Sequence, residues 1–382
     1  MSLAVVGMGA VASIGGTVPE IFDSLVSGHS GIADMRGFDR TKFRAHRLYE
    51  IDDRPDFGKD VPLRATRWLD RAVTAALADA GLDEDLGEIP VLVGTTLREL
   101  RSVELSWRDG TSFDVRDLNF GPMLERRFGA VHTETIANAC AASLYALALG
   151  GDLLALYEAD TVVVAGVDSI TESTHGLLDR CYPEAPDAVR PFDRHRRGML
   201  QGEGAAAIVV RREEDGPGPS GRVHARILGT AVNCDADHPS APRAERIADA
   251  VRQAHRRAGV RPADIDLVMV HGTGTPLNDE AEAAALAEVF DLPASPSPLM
   301  TAIKSMTGHT AGASGLHSLI TAVESMRAGV VPPIVGLTDP VPAVAGFRLA
   351  RPAAVHTDAA LAQVNSFGFG GLNAVAIVEK VA

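Results

Sequence analysis

The chain has 382 residues, of which 46% are hydrophobic and 37 are glycine, and its formal net charge is −14 at pH 7. That length exceeds the roughly 250–300 residues at which a single core stops growing, so two packed halves are expected. The acidic balance argues against a nucleic-acid partner. No apolar run reaches the ~18 residues of a membrane span, and the opening MSLAVVGMGAV lacks the basic segment of a secretory leader. The three cysteines, Cys140, Cys181 and Cys234, are too few and too scattered for a disulfide framework or a metal knuckle. A cytoplasmic, reducing location is expected.

In chain order, LAVVG at residues 3–7 is a continuous apolar run that reads as a strand buried on both faces. The glycine-rich GMGAVASIGG that follows lacks the acidic partner of a dinucleotide fingerprint. It reads as a tight turn into a helix over 18–27. Residues 64–81, RATRWLDRAVTAALADAG, carry apolar residues at helical spacing and end on a capping glycine. Arg64, Arg67 and Arg71 fall on the predicted polar side of that helix. Residues 90–95 form another buried strand, and 98–128, where Arg and Asp mix, read as an irregular surface excursion.

Strands follow at 161–166 and 205–210. EEDGPGPSG, residues 213–221, is the strongest linker pattern and sets the boundary between two halves, 1–213 and 221–382. The second half repeats the order of strand, glycine turn and helix. Its strands are predicted at 224–233, 266–270 and 299–303, its helices at 243–258, 280–290 and 313–326, and a strand–turn–strand closes the chain over 362–379.

One short stretch organises the rest. IANACAAS, residues 136–143, sets a cysteine between small residues, after a β-branched segment and before the helix-forming run 141–149. A thiol at a helix start meets unpaired N–H groups and the positive end of the helix dipole, which lower its pKa. On these eight residues alone, a cysteine that merely fills space is the alternative. Three polar punctuations in the second half flank strands: HGTGT at 271–275, KSMTGHTAGASG at 304–315 and NSFGFGGLN at 365–373. Strand ends at a common edge are where α/β folds assemble their sites. A cysteine, two histidines and a lysine gathered there suit acyl-thioester chemistry. The cysteine attacks the thioester, histidines donate to a carbonyl oxygen or move protons, and backbone N–H groups hold an oxyanion.

The set NACAAS, HGTGT, KSMTGH and NSFGFGG, in that order, resembles the β-ketoacyl-acyl carrier protein synthases of the thiolase superfamily. The likeness runs from VVGMGAV to the last strand and includes RPFDRHRRGMLQGEGAAAIVV before the boundary. It implies an α/β fold of thiolase type, a five-layer α/β/α/β/α sandwich of two similar halves. It also implies a dimer, usually of two copies, in which the strand before Cys140 pairs across the two-fold. By matching position, Cys140 resembles the acylated nucleophile, and His271 and His309 the pair that polarises a malonyl thioester carbonyl. Lys304 resembles the lysine that supports the second histidine, and Glu282 its carboxylate partner in an ion pair.

The resemblance extends to the substrate path. Thr273 and Thr275 resemble residues that hydrogen-bond a phosphopantetheine arm. Phe369 resembles the gate beside the nucleophile, its N–H joining that of Cys140 in the oxyanion hole. No metal or diffusible cofactor is implied, because the substrates ride on the phosphopantetheine of an acyl carrier protein. Arg64, Arg67, Arg126, Arg127 and Arg190 lie where such enzymes dock acidic carriers. His175, His195, His238 and His317 match no catalytic position, and Cys181 and Cys234 read as incidental.

The sequence departs from the common bacterial pattern in places. Leu372 stands where threonine is usual, GAVHTETIANAC lacks a Gly-Pro before its strand, and the nucleophile flank is NACAAS rather than a TAC form. These departures shift the expectation from housekeeping fatty-acid synthesis to a specialised, polyketide-type pathway. The expected activity is decarboxylative Claisen condensation, that of an acyltransferase of the 3-oxoacyl-[acyl-carrier-protein] synthase type. One alternative is an acyltransferase on the same fold that passes the acyl group to an alcohol or amine without losing CO2. Another is a non-catalytic partner subunit of the chain-length-factor type, which typically lacks the nucleophile that this chain keeps. The chain's own partner is a second copy or a related subunit. No cysteine follows Cys234 to serve as the second catalytic thiol of a thiolase proper.

Overall fold

The computed structural model describes residues 2–55, 60–292 and 294–381. Among the described residues, eleven strands join one sheet. They are β1 (Leu3–Ala12), β2 (Val91–Gly94), β3 (Thr133–Ile136), β4 (Thr161–Asp168), β5 (Gly204–Arg212), β6 (Ala225–Cys234), β7 (Leu267–Met269), β8 (Leu299–Thr301), β9 (Arg348–Leu349), β10 (Leu361–Gly368) and β11 (Leu372–Lys380). Their order across the sheet is β9-β8-β7-β10-β11-β6-β1-β5-β4-β2-β3.

The same strand pattern occurs twice. β1-β5-β4-β2-β3 comes from the chain before residue 213, and β6-β11-β10-β7-β8 from the chain after 224. Matching neighbours run the same way. β1 with β5 and β6 with β11 are antiparallel, while β2 is parallel to β4 and β3 just as β7 is parallel to β10 and β8. The two sets meet where Leu3–Val5 of β1 pairs antiparallel with Ala225–Ile227 of β6. β3 ends the sheet on one side, paired only with β2.

Ten helices surround and separate these strands among the described residues: α1 (Val18–Val26), α2 (Arg64–Ala80), α3 (Leu100–Asp109), α4 (Gly121–Phe128), α5 (Ala142–Ala155), α6 (Glu172–Cys181), α7 (Ala244–Ala258), α8 (Pro276–Val289), α9 (Lys304–Thr307) and α10 (Ser314–Ala328). Successive strand residues point to opposite faces, and here both faces are apolar. Val162 and Val164 of β4 enter a core with Leu144 and Leu147 of α5 and with Leu316 and Leu319 of α10. Val163, Ala165 and Val167 face the other way, against Trp68, Leu69 and Val73 of α2. A third core joins Val268, Met300 and Ile377 to Ile247 and Val251 of α7 and Leu286 of α8. Three cores divided by two runs of sheet make the five-layer sandwich, with α5 and α10 as its middle layer. α10 is buried from Ser314 to Met326, as a helix covered on all sides must be. No helix among the described residues is long and apolar enough to cross a membrane.

Two expectations are corrected. The first strand does not end in a turn at Gly7; β1 continues to Ala12. α2 crosses it so closely that a Cβ on Gly7 would lie 2.2 Å from the Ala76 carbonyl oxygen, and one on Gly9 2.1 Å from that of Ala72. Those glycines serve helix–strand approach, and the turn comes at Ala12–Gly15. Residues 98–128, expected to be irregular, contain α3 and α4, closed by Gly110 and Gly129 in the left-handed conformation. Few of their residues are buried apolar ones, so their period was hidden among charges.

Candidate active site

The site forms where β3, β7, β8 and β10 end. After β3 the chain turns through Ala139, held at a left-handed φ of +48°. It then makes a 3-10 turn, Ala139–Ala141, and enters α5. Such a conformation costs a non-glycine residue roughly 1–3 kcal/mol and persists only where its surroundings impose it. Here Ser366 Oγ donates to the Cys140 carbonyl oxygen at 2.8 Å and Ser314 Oγ at 3.3 Å, tying the turn to β10 and α10. Gly368 comes so close that a Cβ on it would lie 3.1 Å from Cys140 N. The Cys140 sulfur is buried, and the N–H groups of Phe369 and of Cys140 itself reach it. Two backbone donors converging beside a nucleophile can hold an oxyanion.

Burial pushes the Cys140 thiol up to about 12, against the Lys304 charge and those N–H groups. The expectation that the helix start lowers this pKa is therefore corrected. Loss of water outweighs the Lys304 charge and the two N–H groups here, and the resting group is a neutral thiol.

β7 leads directly to His271. Glu282 of α8 clamps this turn, accepting the N–H of His271 at 2.7 Å and of Gly272 at 2.8 Å. Asn365 Nδ2 donates to the same carboxylate at 3.0 Å. Lys304, just after β8, donates to the His271 carbonyl oxygen and lies 3.3 Å from His271 Nδ1. An ammonium only donates, so Nδ1 carries the lone pair and the ring proton sits on Nε2.

His309 is held by its backbone. Its N–H donates to Leu200 O at 2.9 Å, and its carbonyl accepts from Gly202 N at 3.0 Å. Gly308 before it has φ +66°, and a Cβ there would lie 2.4 Å from the Tyr49 ring. Both nitrogens of the buried His309 ring lack any hydrogen-bond partner in the protein. The His271 and His309 rings lie 5.3 Å apart at 79°. Burial and the Lys304 charge hold both imidazoles well below the usual pKa, so both are neutral. Burial brings Lys304 itself down to about 8, with the Glu282 charge opposing.

Cys140, His271, His309, Thr273, Thr275 and Phe369 all line one cavity of about 560 Å³. The Thr273 and Thr275 hydroxyls lie 2.8 Å apart, and Phe369 is 50% exposed. Lys304 and Glu282 are in contact with His271 and its turn rather than with the cavity.

Three readings of site residues change. Glu282 and Lys304 form no ion pair within 4.0 Å; Glu282 commits its oxygens to backbone N–H groups and Asn365, and acts on the lysine through space. Lys304 hydrogen-bonds the first histidine of the pair, His271, and not the second. Arg64 is no docking residue. It shares the buried face of α2 with Trp68, four residues on, and its buried guanidinium meets Asp53, Asp60 and Glu203 at 2.8–3.0 Å.

The other four arginines are at least partly exposed. Arg126 pairs with Asp117, Arg127 with Glu84 and Asp70, and Arg190 with Asp187. Arg67 donates to the Pro62 carbonyl at 2.9 Å. The sequence reading missed much of the cavity wall: Leu178 and Cys181 of α6, Tyr182, Met199 and the loop His238–Pro242. Met199 stands inside RPFDRHRRGMLQGEGAAAIVV without being singled out there; no motif marks the others, which are gathered by α6, the residue after it and the 235–243 loop. Among the described residues no group of three or more His, Cys, Asp or Glu is placed to hold a metal ion.

Comparison with known proteins agrees with this geometry. The family profile described as the beta-ketoacyl synthase N-terminal domain matches residues 129–216, and that of the C-terminal domain matches 224–338. A polyketide beta-ketoacyl synthase of Streptomyces cyaneus is 32% identical over 377 residues, covering 89% of each chain. The chloroplastic 3-oxoacyl-[acyl-carrier-protein] synthase I of Hordeum vulgare is 29% identical over 408 residues, with 98% of this chain and 88% of that one covered. The solved ishigamide ketosynthase/chain length factor superposes with a TM-score of 0.89 at 32% identity, covering 100% of this chain and 99% of that one. The chain belongs to the beta-ketoacyl synthase family, a family of acyl-condensing transferases.

Proposed function

We propose that the protein is a β-ketoacyl-acyl carrier protein synthase carrying out decarboxylative Claisen condensation in a specialised, polyketide or fatty-acid-like pathway. The observation that carries this reading is a buried cysteine sharing one cavity with two neutral imidazoles, one of them free of protein partners at both nitrogens. In the first step Cys140 Sγ attacks a carrier-bound acyl thioester. The thiol proton passes to a neutral imidazole in the cavity, and the carrier thiol leaves with a proton. The N–H groups of Phe369 and Cys140 hold the oxyanion between these events. Malonyl-carrier binds next, and His271 Nε2–H and a His309 N–H donate to its thioester carbonyl. The bond to the carboxylate breaks, CO2 departs, and the electron pair remains as an enolate. Its carbon attacks the Cys140 thioester, the S–C bond breaks, the departing Cys140 sulfur takes up a proton from solvent to restore the thiol, and a 3-ketoacyl-carrier is released. Neutral histidines suit this task, because each keeps an N–H to donate without carrying a buried charge at rest.

Thr273 and Thr275 hold the phosphopantetheine arm, which stays on the carrier, and the reaction calls for no diffusible cofactor. An acidic carrier docks on Arg67, Arg126, Arg127 and Arg190. A second copy or a related subunit pairs with the edge strand β3; the similar solved protein, a ketosynthase/chain length factor by its description, supports such an arrangement. The boundary between the two halves falls within 213–221, in the loop between β5 and β6. All three cysteines are free thiols, in keeping with a reducing cytoplasm.

Intact-mass measurement of the protein incubated with acyl-carriers, together with CO2 release from malonyl-carrier, tests the reading. Acyl transfer without CO2 release assigns the non-decarboxylating alternative. Cys140→Ala should lose condensation by on the order of 10³-fold or more, while part of the malonyl decarboxylation survives. Elongation that persists in that variant rejects the assignment.

A further inference from the structure

Gln363 and Asn365 stand two residues apart on β10, so they share one face of the strand. Both are buried, as are His255 on α7, Glu282 and His271. Their side chains form one continuous chain of hydrogen bonds. His255 Nε2 lies 2.8 Å from Gln363 Oε1, and Gln363 Nε2 donates to Asn365 Oδ1 at 2.8 Å. Asn365 Nδ2 donates to Glu282 Oε1 at 3.0 Å, and Glu282 accepts the N–H groups of His271 and Gly272.

The sense of this chain is fixed from the carboxylate outward. A carboxylate only accepts, so Asn365 turns its NH2 to Glu282 and its oxygen to Gln363. Gln363 must then present its own oxygen to His255, and the His255 proton sits on Nε2. His255 Nδ1 is left as a buried lone pair with no partner in the protein. Buried bonds of this kind strengthen one another, and each broken one strands a desolvated group. Neither His255 nor Gln363 lines the cavity, and the condensation chemistry makes no use of them. A buried polar pair at the foot of the one carboxylate that clamps His271 therefore needs another reason.

We propose that Gln363 and His255 are positioning residues for His271. Through Asn365 they lock the Glu282 carboxylate against the His271–Gly272 backbone and so fix where His271 Nε2–H points. This rests on the reading above only in that His271 donates to the malonyl carbonyl. Without the pair, Asn365 keeps one anchor instead of two, and a displacement of about 1 Å at a donor is enough to slow chemistry severely.

The test compares Gln363→Leu, His255→Phe and the double variant in the full-length protein. Thermal midpoint, acylation of Cys140 by a small acyl thioester, malonyl-thioester decarboxylation and the imidazole 15N signals of His271 are read for each. Gln363→Leu should lower the midpoint and cut decarboxylation about tenfold while acylation changes by less than about threefold. The double variant should regain part of the midpoint, because the stranded His255 N–H is gone while Asn365 Oδ1 still lacks its donor, yet not the decarboxylation. His271 signals should shift in both. Decarboxylation that recovers along with the midpoint would reduce the pair to a structural role. Unchanged decarboxylation and unchanged His271 signals in Gln363→Leu overturn the proposal. If the wild-type protein releases no CO2, the condensation reading fails by itself, and the His271 signals still decide the positioning claim.

Discussion

Two turns enter the two central helices by the same route. One, Asn138–Ser143, leads into α5; the other, Thr310–Gly315, leads into α10. Each opens on an alanine at left-handed φ, Ala139 at +48° and Ala311 at +45°, which is the first residue of a three-residue 3-10 turn. The middle residue of the first turn is Cys140 and that of the second is Gly312. Each is met by the last residue of an eight-residue strand from the other half of the chain: Gly368 of β10 beside Cys140, Asp168 of β4 beside Gly312. At Gly312 the Asp168 carboxylate fills the turn, accepting the N–H groups of Gly312 at 2.6 Å, Leu97 at 2.7 Å and Thr96 at 2.8 Å. At Cys140 the corresponding strand ends in a glycine, so no carboxylate enters the turn, and the N–H groups of Cys140 and Phe369 reach the Cys140 sulfur instead. One turn geometry thus occurs twice. The chain fills one copy with its own carboxylate and leaves the other, at Cys140, without one.

This comparison can be broken or sharpened by substitution. The largest effect is expected from Gly368→Asp, which gives the Cys140 turn the plug that Asp168 provides at Gly312. Cys140 acylation should fall on the order of 10²-fold, the scale of a lost oxyanion donor, with circular dichroism showing a retained fold. Full activity in that variant would mean that these N–H groups do not hold the oxyanion.

Gly312→Ala comes next, because a Cβ there would lie 2.5 Å from Thr95 Cα. It should cost about 1–3 kcal/mol of stability in denaturant unfolding. Cys140→Ala carries no such cost, so the two equivalent positions should respond in opposite ways, one in stability and one in activity.

Asp168→Asn offers only one accepting oxygen to groups that now use two, and about 1–2 kcal/mol should be lost. Burial raises the Asp168 pKa from 3.8 to about 6. A carboxyl shifted upward contributes stability that is present at low pH and lost as pH rises through the folded value. The wild-type advantage over Asp168→Asn should therefore shrink between roughly pH 4 and 6 and stay level above. A difference that grows across that window contradicts the shift.

The smallest effect belongs to the surface. Arg67→Glu should raise KM for a carrier-bound substrate by a few-fold and leave KM for a small thioester unchanged. Equal effects on both substrates remove Arg67 from the docking face.

Much of this architecture was legible in residue order. Apolar runs gave the buried strands, and Gly81 marked the end of α2 as Gly259 marked that of α7. The four polar motifs named Cys140, His271, His309 and Phe369, because the residue types that thioester chemistry needs sit in short contiguous runs at strand ends. What remained hidden depends on residues far apart in the chain. Arg64 looked solvated until α2 turned it toward Glu203. The cavity wall at Leu178 and Tyr182 carries no motif, since α6 and the residue after it reach the site from elsewhere.

By itself, the sequence determined most of the buried strands and longer helices and which chemically able side chains stand at their tips, since period and turn preference act over a few residues. The tertiary structure alone decided that Cys140 rests as a thiol, that Lys304 serves His271, and that one of two matching turns is plugged while the other stays open. Those outcomes depend on how much water the packing removes and on which distant carboxylate or glycine arrives alongside, and neither is written in neighbouring residues.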